Sequence, residues 1–322
     1  MLYNDINTFG MRRKLLFAVI TGTAITGAFG QAEPGFKRLT GVVDGYPSLS
    51  PDGKKILFDS DRSGNSELYV MDLDGNNLKR LTNSPEHDNS PKWSPDGMRI
   101  VFARDLAENS EIFIINADGS NEKRLTQTPG DDSHPNFSPD GKKIIFNSAR
   151  TSPDLKIEWR FQFHEVFIMN VDGSDARQIS SFKIVSTYPS ISPDGTKICF
   201  RRVTNDPGFN YDLTVGKRNS EVFVMNIDGS NPINISNSPA YDGWPTWTPD
   251  GKVIFSSNRA GIPYSAQLYK VNVDGSDLKL ISDPKYSLIQ ATVGKDGKTI
   301  FCQHSLENDG YDNGGLASIE LK

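Results

Sequence analysis

The amino-acid sequence predicts an all-β protein: a six-bladed β-propeller, closed by the N-terminal strand completing the last blade. Three observations lead to this prediction. A Pro-Asp-Gly turn recurs along the chain, and a second turn with Asp-Gly follows most copies. The outermost strand of the last repeat is missing at the C-terminus, and its pattern occurs near the N-terminus instead. The repeat carries strand signals and no helical periodicity.

The first turn gives the number of blades. Ser-Pro-Asp-Gly occurs four times and is followed by the looser copies Thr-Pro-Asp-Gly and Gly-Lys-Asp-Gly. The glycine lies at positions 53, 97, 141, 195, 251 and 297, with spacings of 44, 44, 54, 56 and 46 residues. Repeats of about 40–50 residues built from strands are typical of propeller blades. The six copies therefore predict six blades.

Each repeat contains signals for four strands, A to D. Strand A ends at the first turn, as in residues 46–49, and strand B follows that turn. Strand C alternates apolar and other residues, as in residues 67–71, and the Asp-Gly hairpin turn leads into strand D at residues 78–82. Strand B ends near a phenylalanine in every repeat, namely Phe58, Phe102, Phe146, Phe200, Phe255 and Phe301.

The last repeat predicts how the ring closes. It contains strand B at residues 299–303 and strand C at residues 316–321, but no strand D follows. Residues 36–40, Phe-Lys-Arg-Leu-Thr, have the strand D pattern. We therefore expect them to complete the last blade and to leave no open sheet edge.

The segment before the propeller has the pattern of a secretory signal. We assign residues 1–30 to a signal peptide, 31–35 to a linker and 36–322 to the propeller. Arg12, Arg13 and Lys14 precede an apolar run at residues 15–25, which is shorter than the about 20 residues of a membrane span. We expect a periplasmic or secreted protein with no stable membrane insertion after cleavage. An uncleaved anchor is the alternative.

Composition narrows the classes of function. The formal net charge is -5 and no basic patch stands out, which argues against nucleic-acid binding. Cys199 and Cys302 lie in predicted strands of different repeats, so we expect two buried thiols, with a disulfide as the alternative. We expect a monomer.

One face of the ring is the expected binding surface. This loop face carries the D-to-A and B-to-C connections, whereas the opposite turn face carries turns of nearly constant length. The B-to-C connection is long in blades 3, 4 and 6, at residues 149–164, 203–220 and 304–315. Aromatic and basic residues there suit a protein partner, and the alternative is that they pack their own loops down. They are Trp159, Arg160, Phe161 and Phe163 in blade 3, and Phe209, Tyr211, Lys217 and Arg218 in blade 4.

The start of strand A is the expected mouth of the central channel. Aligning the repeats places six residues at one level, namely Tyr46, Ser90, His134, Tyr188, Trp244 and Gln290. Two positions earlier, four blades carry an aspartate, namely Asp44, Asp88, Asp132 and Asp242. Such an acidic ring would bind a cation such as calcium, or a lysine or arginine of a peptide. The alternative is that each aspartate caps its own turn.

The sequence predicts no catalytic site, no metal site and no cofactor. Residues 72–76 resemble a calcium loop, but Gly75 is fourth in it and not sixth. No Gly-x-Ser-x-Gly motif is present. The four histidines, at positions 87, 134, 164 and 304, fall at different places in the repeat, and only His134 is expected at the channel. The alternative function is a metal-dependent carbohydrate lyase acting near His134, or another carbohydrate-binding propeller.

Several runs of the first repeat resemble the repeat of TolB-like propellers. They are Ser-Pro-Asp-Gly-Lys-Lys-Ile-Leu-Phe at residues 50–58, Asp-Arg-Ser-Gly-Asn at 61–65, Glu-Leu-Tyr-Val-Met at 67–71 and Leu-Thr at 81–82. The resemblance extends over residues 36–322. It implies a periplasmic protein-binding scaffold of the cell envelope, with a peptide or an envelope lipoprotein as partner.

The resemblance covers the propeller alone. TolB carries an α/β domain before its propeller, whereas here a signal and a short linker precede strand D. Similar repeats form the propellers of prolyl oligopeptidases, whose hydrolase domain has no counterpart here, and of oligogalacturonate lyases. The lyases hold manganese with a histidine cluster, which this sequence does not clearly reproduce.

Overall fold

The computed structural model describes residues 36–40, 43–203, 220–262, 265–304 and 314–321, so the assigned signal peptide and linker lie outside it. These residues form six four-stranded antiparallel sheets arranged as blades in a ring, which confirms the predicted six-bladed propeller. No helix among the described residues is long and apolar enough to cross a membrane.

The strands occupy equivalent positions in blades 1 to 6. The A strands are β2 (Asp44–Leu49), β6 (His87–Trp93), β10 (Asp132–Phe137), β14 (Ser186–Ile191), β18 (Asp242–Trp247) and β22 (Leu288–Val293). The B strands are β3 (Lys55–Ser60), β7 (Arg99–Asp105), β11 (Lys143–Ser148), β15 (Lys197–Val203), β19 (Val253–Ser257) and β23 (Thr299–His304). The C strands are β4 (Glu67–Asp72), β8 (Ser110–Asn116), β12 (Glu165–Asn170), β16 (Ser220–Asn226), β20 (Gln267–Val271) and β24 (Gly315–Glu320). The D strands are β5 (Lys79–Arg80), β9 (Lys123–Arg124), β13 (Arg177–Gln178), β17 (Ile233–Asn234), β21 (Lys279–Leu280) and β1 (Phe36–Arg38).

The ring closes as the sequence predicts. Strand β1 pairs antiparallel with β24, and Lys37 lies opposite Ser318. The last blade therefore combines three strands from the end of the described chain with one from its beginning, in the order β22, β23, β24, β1. The outer edge of β24 is paired, which removes an open edge that would otherwise be exposed to aggregation.

The first turn is held by its own side chains. In blade 1, Ser50 Oγ donates to Asp52 Oδ1 at 2.6 Å and accepts the Lys55 backbone N–H at 2.9 Å. Gly53 has φ of +72°, a left-handed conformation that a glycine adopts without strain. The motif therefore encodes a local hairpin, which explains why it marks the blades so clearly.

The core is divided among the blade interfaces. Each sheet is apolar on both faces, and six clusters of buried side chains among the described residues each join two neighbouring blades. Phe58 and Phe301, for example, share the cluster that joins blades 1 and 6. The strand B phenylalanines are buried in all six blades. Cys199 and Cys302 are buried free thiols, as expected from the sequence.

Candidate functional site

A β-bulge shapes the start of every strand A. In blade 1 the pairing with β3 shifts between Gly45 and Ser48, and the residue inside this step, Tyr46, has φ of 48°. The same shift occurs in the other five sheets. Left-handed backbone is costly for residues with a side chain, so the ring backbone holds these positions against their local preference. They are Tyr46, Ser90, His134, Tyr188, Trp244 and Gln290.

These six residues, which we call the mouth ring, line one cavity together. The hydroxyls of Tyr46 and Tyr188 are 3.2 Å apart, and the rings of His134 and Tyr188 have centroids 3.9 Å apart. Trp244 lies 6.1 Å from Tyr188, and the Gln290 side-chain carbonyl accepts the Tyr46 backbone N–H at 2.7 Å. The side chains largely fill the channel and leave about 60 Å³.

His134 is a neutral member of the mouth ring. Its Nδ1 lies 2.8 Å from Asn147 Oδ1, while the Asn147 amide donates to Ser133 Oγ at 2.9 Å. Asn147 Oδ1 is therefore the acceptor, and His134 Nδ1 carries the proton. Burial lowers the pKa of His134 to about 3, so the imidazole is uncharged near neutral pH.

The next level of the channel contains residues that the sequence analysis did not single out. Lys92 lines the same cavity as the mouth ring, together with Asn136, Ser190 and Thr246. Burial lowers the pKa of Lys92 to about 8, and the negative charge of Asp59 opposes this shift. Their position in the sequence could have identified these residues, because each follows the mouth-ring residue of its own strand by two positions.

The predicted acidic ring is wrong in its geometry. The side chains of Asp44, Asp88, Asp132 and Asp242 are fully buried and do not line the channel cavity. Each aspartate forms an ion pair with an arginine of its own blade, an arrangement that we call the clasp. The clasps are Asp44–Arg62 at 2.7 Å, Asp88–Arg104 at 2.5 Å, Asp132–Arg150 at 2.7 Å and Asp242–Arg259 at 2.8 Å.

The bulge explains why the four aspartates do not lie at the channel mouth as predicted. In a regular strand, residues two apart share a face, and the aspartates would then point where the mouth ring points. The bulge interrupts this alternation between the two positions. The turn-capping alternative does not describe the aspartates either, because their carboxylates bind guanidinium groups. Burial raises the pKa of Asp132 and Asp242, and the positive charge of the paired arginine opposes that shift.

The clasp arginines are also stacked on aromatic rings. Each guanidinium carbon lies 4.6–5.5 Å from the centroids of the strand B phenylalanine and of the aromatic residue opposite it on strand C. In blade 1 these rings are Phe58 and Tyr69, which are paired across β3 and β4. The clasp thus ties the start of strand A to strands B and C, and its role is structural.

In the long loop of blade 3, some aromatic residues pack against the protein and others are exposed on the surface. Residues Trp159–Phe161 form a single 3₁₀ turn. Trp159 packs against the buried Val185 and Val203, so the packing alternative holds for it. Phe161 is 52% exposed and Ile157 is 38% exposed, whereas Phe163 is half-buried. The Arg160 side chain lies outside the described part of the structure.

The histidines are dispersed. His134 lies in the channel and His87 is exposed. His164 is buried directly before strand β12 of blade 3, and His304 is buried as the last residue of strand β23 in blade 6. Within the described ranges, no group of three or more His, Cys, Asp or Glu side chains could hold a metal ion. Phe209, Tyr211, Lys217 and Arg218 of blade 4 lie outside those ranges.

Comparison with known proteins agrees with this architecture. The family model of the TolB β-propeller domain matches residues 35–105 and 82–206, more than half of the chain. A TolB homolog from Chlorobium luteolum is 27% identical over 135 residues, which are 32% of this chain and 31% of that protein. The matched part thus spans less than a third of the length of that relative.

Two solved structures show the same fold at low identity. A TolB structure from Agrobacterium tumefaciens is 21% identical with a TM-score of 0.59, covering 76% of this chain and 86% of the other. An oligogalacturonate lyase in complex with manganese is 15% identical with a TM-score of 0.57, covering 89% and 93%. Such likeness shows the fold alone. The matched family model, together with the six blades and their repeated turns, shows that the chain belongs to the TolB β-propeller domain family.

Proposed function

We propose that this propeller is a periplasmic, non-enzymatic and monomeric scaffold that binds a protein partner of the cell envelope at its loop face. The family membership and the TolB homolog from Chlorobium luteolum support a protein-binding role. The secretory pattern of residues 1–30 supports export. An envelope lipoprotein is the partner class that the family resemblance favours.

The observation that carries this proposal is an apolar surface on the loop face. Phe161 and Ile157 are exposed on the blade 3 loop, while Trp159 anchors the same loop to buried valines. Large apolar side chains held in place on a surface are typical of the residues that dominate protein interfaces. Because the loop is anchored, a partner would meet Phe161 in an already ordered position.

The channel gives less support to a carbohydrate-active alternative. Small-molecule sites typically enclose about 300–1,000 Å³, whereas the side chains of the mouth ring leave about 60 Å³. A sugar ring would have to displace Tyr188 or Trp244, which are packed against their neighbours. The buried aspartates are engaged by arginines, so calcium binding at the channel mouth is not part of the proposal.

Affinity capture with matched variants tests the proposal. The exported protein is immobilised, an envelope extract is passed over it, and retained proteins are identified by mass spectrometry. Phe161→Ser removes the exposed ring from the loop face. The control is Leu280→Ser, because Leu280 is 42% exposed but lies on an outermost D strand.

The expected result is one specific partner that is retained by the wild type and by Leu280→Ser. We expect Phe161→Ser to bind this partner about tenfold more weakly, as for an interface hot spot. No specific retention by the wild type would contradict the proposal. Equal binding by Phe161→Ser and Leu280→Ser would contradict the assignment of the surface.

A further inference from the structure

One level of the channel, directly below the mouth ring, has an unusual charge. At the position two residues after the mouth ring, five blades have a neutral side chain and blade 2 has a lysine. The residues are Ser48, Lys92, Asn136, Ser190, Thr246 and Thr292. The residues that line the cavity include no carboxylate, so Lys92 gives it a positive charge.

Lys92 has no ion-pair partner among the residues that the structure describes. The side chain is half-buried, and its ammonium group makes no hydrogen bond or ion pair with any described residue. Asp59 acts on it electrostatically without forming an ion pair. Burial lowers the pKa of Lys92 only to about 8, so the group is cationic near neutral pH. A partly desolvated ammonium group is stabilised when an anion pairs with it.

The surroundings of Lys92 select for a small, planar anion. The remaining space is about 60 Å³, roughly the volume that two water molecules occupy in the liquid. Tyr46 and Tyr188, whose hydroxyl groups lie 3.2 Å apart, line the same cavity together with the aromatic rings of Trp244 and His134. Burial holds the pKa of Tyr188 well above its ordinary value, so its hydroxyl stays protonated and able to donate.

We infer that the channel is a carboxylate-binding site in which Lys92 neutralises an aspartate or glutamate side chain from an acidic segment of the bound partner. The charge complementarity of a cationic cavity without an internal counter-ion selects this occupant. The source of the carboxylate rests on the proposed function, whereas the site itself rests on the channel geometry alone.

Defined probes test the site without knowledge of the partner. The exported protein is titrated with sodium acetate, with the blocked tripeptide Gly-Glu-Gly and with its neutral counterpart Gly-Gln-Gly. Heat of binding and tryptophan fluorescence are recorded, because Trp244 lines the cavity. We expect acetate and the glutamate peptide to bind, and the glutamine peptide to bind about tenfold more weakly, since only the former gain a charged hydrogen bond.

The chain itself offers conservative variants. Lys92→Asn places in blade 2 the residue that blade 3 has at the same level, Asn136. The control is Lys54→Met, because Lys54 is exposed on the turn face and blade 2 has Met98 at the equivalent position. We expect Lys92→Asn to lose about tenfold or more of the affinity for the glutamate peptide. Lys92→Arg, which keeps the charge, and Lys54→Met should retain binding.

Each contrary result has a distinct meaning. Equal affinity of the wild type for the two peptides, or unchanged binding by Lys92→Asn with a native melting temperature, would overturn the inference. Binding of acetate without the glutamate peptide would overturn the assignment to a protein segment and leave a free carboxylate as the ligand. If Lys92→Asn captures the partner as tightly as the wild type, the inference fails while the proposed function stands. If the wild type binds the glutamate peptide and captures no protein, the site stands and the proposed function fails.

Discussion

Blades 1, 2, 3 and 5 begin strand A with a buried Asp–Arg clasp, whereas blades 4 and 6 have Ser186 and Leu288 at the aspartate position. Blade 4 has a related stack without the carboxylate: Arg202 lies 4.9 Å from the ring of Phe182, which precedes strand A, and 5.0 Å from the ring of Phe223 on strand C. Its neighbour Arg201 is fully buried and donates to the Tyr241 hydroxyl at 2.9 Å. An arginine between aromatic rings thus occurs in blade 4 even where no aspartate is available to pair with it.

Blade 6 replaces the clasp in a different way. Leu288 joins the apolar cluster between blades 5 and 6, and Arg38 of the closing strand donates to His304 Nε2 at 3.1 Å. Blades 4 and 6 also have long B-to-C connections, at residues 203–220 and 304–315. The comparison shows that one backbone position accepts a buried ion pair, a buried serine or a buried apolar side chain.

Breaking an Asp–Arg clasp should lower the free energy of unfolding more than any other change described below. Asp44→Ala leaves the Arg62 guanidinium without the carboxylate that accepts from it at 2.7 and 2.8 Å. We expect the free energy of unfolding in urea to fall by about 3 kcal/mol. The matched change Ser186→Ala in blade 4 should cost less than about 0.5 kcal/mol, because the Ser186 hydroxyl makes no hydrogen bond with the described residues. Equal losses would show that the clasp does not stabilise the blade.

The closing strand should be the second most sensitive point, because blade 6 has no clasp. Phe36 stacks on Tyr286 with ring centroids 4.0 Å apart and packs against the cluster between blades 5 and 6. Phe36→Ala should lower the free energy of unfolding by about 2 kcal/mol, since the side chain is only partly buried. Lys37→Ala, an exposed change on the same strand, should have little effect. A loss of similar size for Lys37→Ala would contradict this explanation.

A smaller loss of stability is expected when the partner of the buried Arg201 in blade 4 is changed. Tyr241→Phe removes the hydroxyl that accepts from Arg201, and we expect a loss of about 1–2 kcal/mol on thermal unfolding. Tyr69→Phe is the control, because blades 2 and 3 have Phe113 and Phe167 at that position. The prediction fails if the two variants melt at the same temperature.

The smallest expected effect is a change in protein stability with pH, which arises at Glu221. Glu221 in blade 4 accepts from Ser236 at 2.5 Å, and burial raises its pKa to about 7 from the ordinary 4.5. Glu67 and Glu111, at the equivalent positions, also accept from a hydroxyl group and form ion pairs with Arg80 and Arg124 of strand D. The folded protein therefore binds a proton at Glu221 at higher pH than the unfolded chain does, and the resulting stabilisation is lost as pH rises through about 7.

Glu221→Gln isolates this contribution, because Gln267 occupies the same position in blade 5. Between about pH 5 and about pH 8, the wild type should lose about 1 kcal/mol of stability relative to the variant, less than the full pKa shift implies because solvent screens the site. Urea unfolding at both pH values measures this difference. Parallel pH profiles for the two proteins would show that Glu221 has an unshifted pKa.

The fold could be predicted from the sequence because it is encoded locally and repeatedly. Five Pro-Asp-Gly copies and one Lys-Asp-Gly copy place six hairpins along the chain. Each of these turns needs only its own residues, as the Ser50–Asp52 hydrogen bond shows. The strand D pattern at residues 36–40 sufficed to predict ring closure, and the pairing of β1 with β24 confirms it. The mouth ring was predicted by alignment alone, because a repeat places equivalent residues at equivalent depth.

The orientation of side chains at the channel required the tertiary structure. The bulge at Tyr46 interrupts strand alternation, so the carboxylate of Asp44 lies inside blade 1 against Arg62 and not at the channel mouth. Trp159 and Phe161 are equally aromatic in sequence, but packing against Val185 and Val203 partly buries Trp159 and leaves Phe161 exposed. Lys92 resembles any other strand lysine until the ring places it inside a narrow channel.

The sequence by itself thus determined the number of blades, the turns and the closing strand, because these depend on backbone preferences within a few residues. The tertiary structure alone decided which charges are paired and which face the channel. Blades 1 and 6 are distant in sequence and adjacent in space, and burial and electrostatics depend on such neighbours.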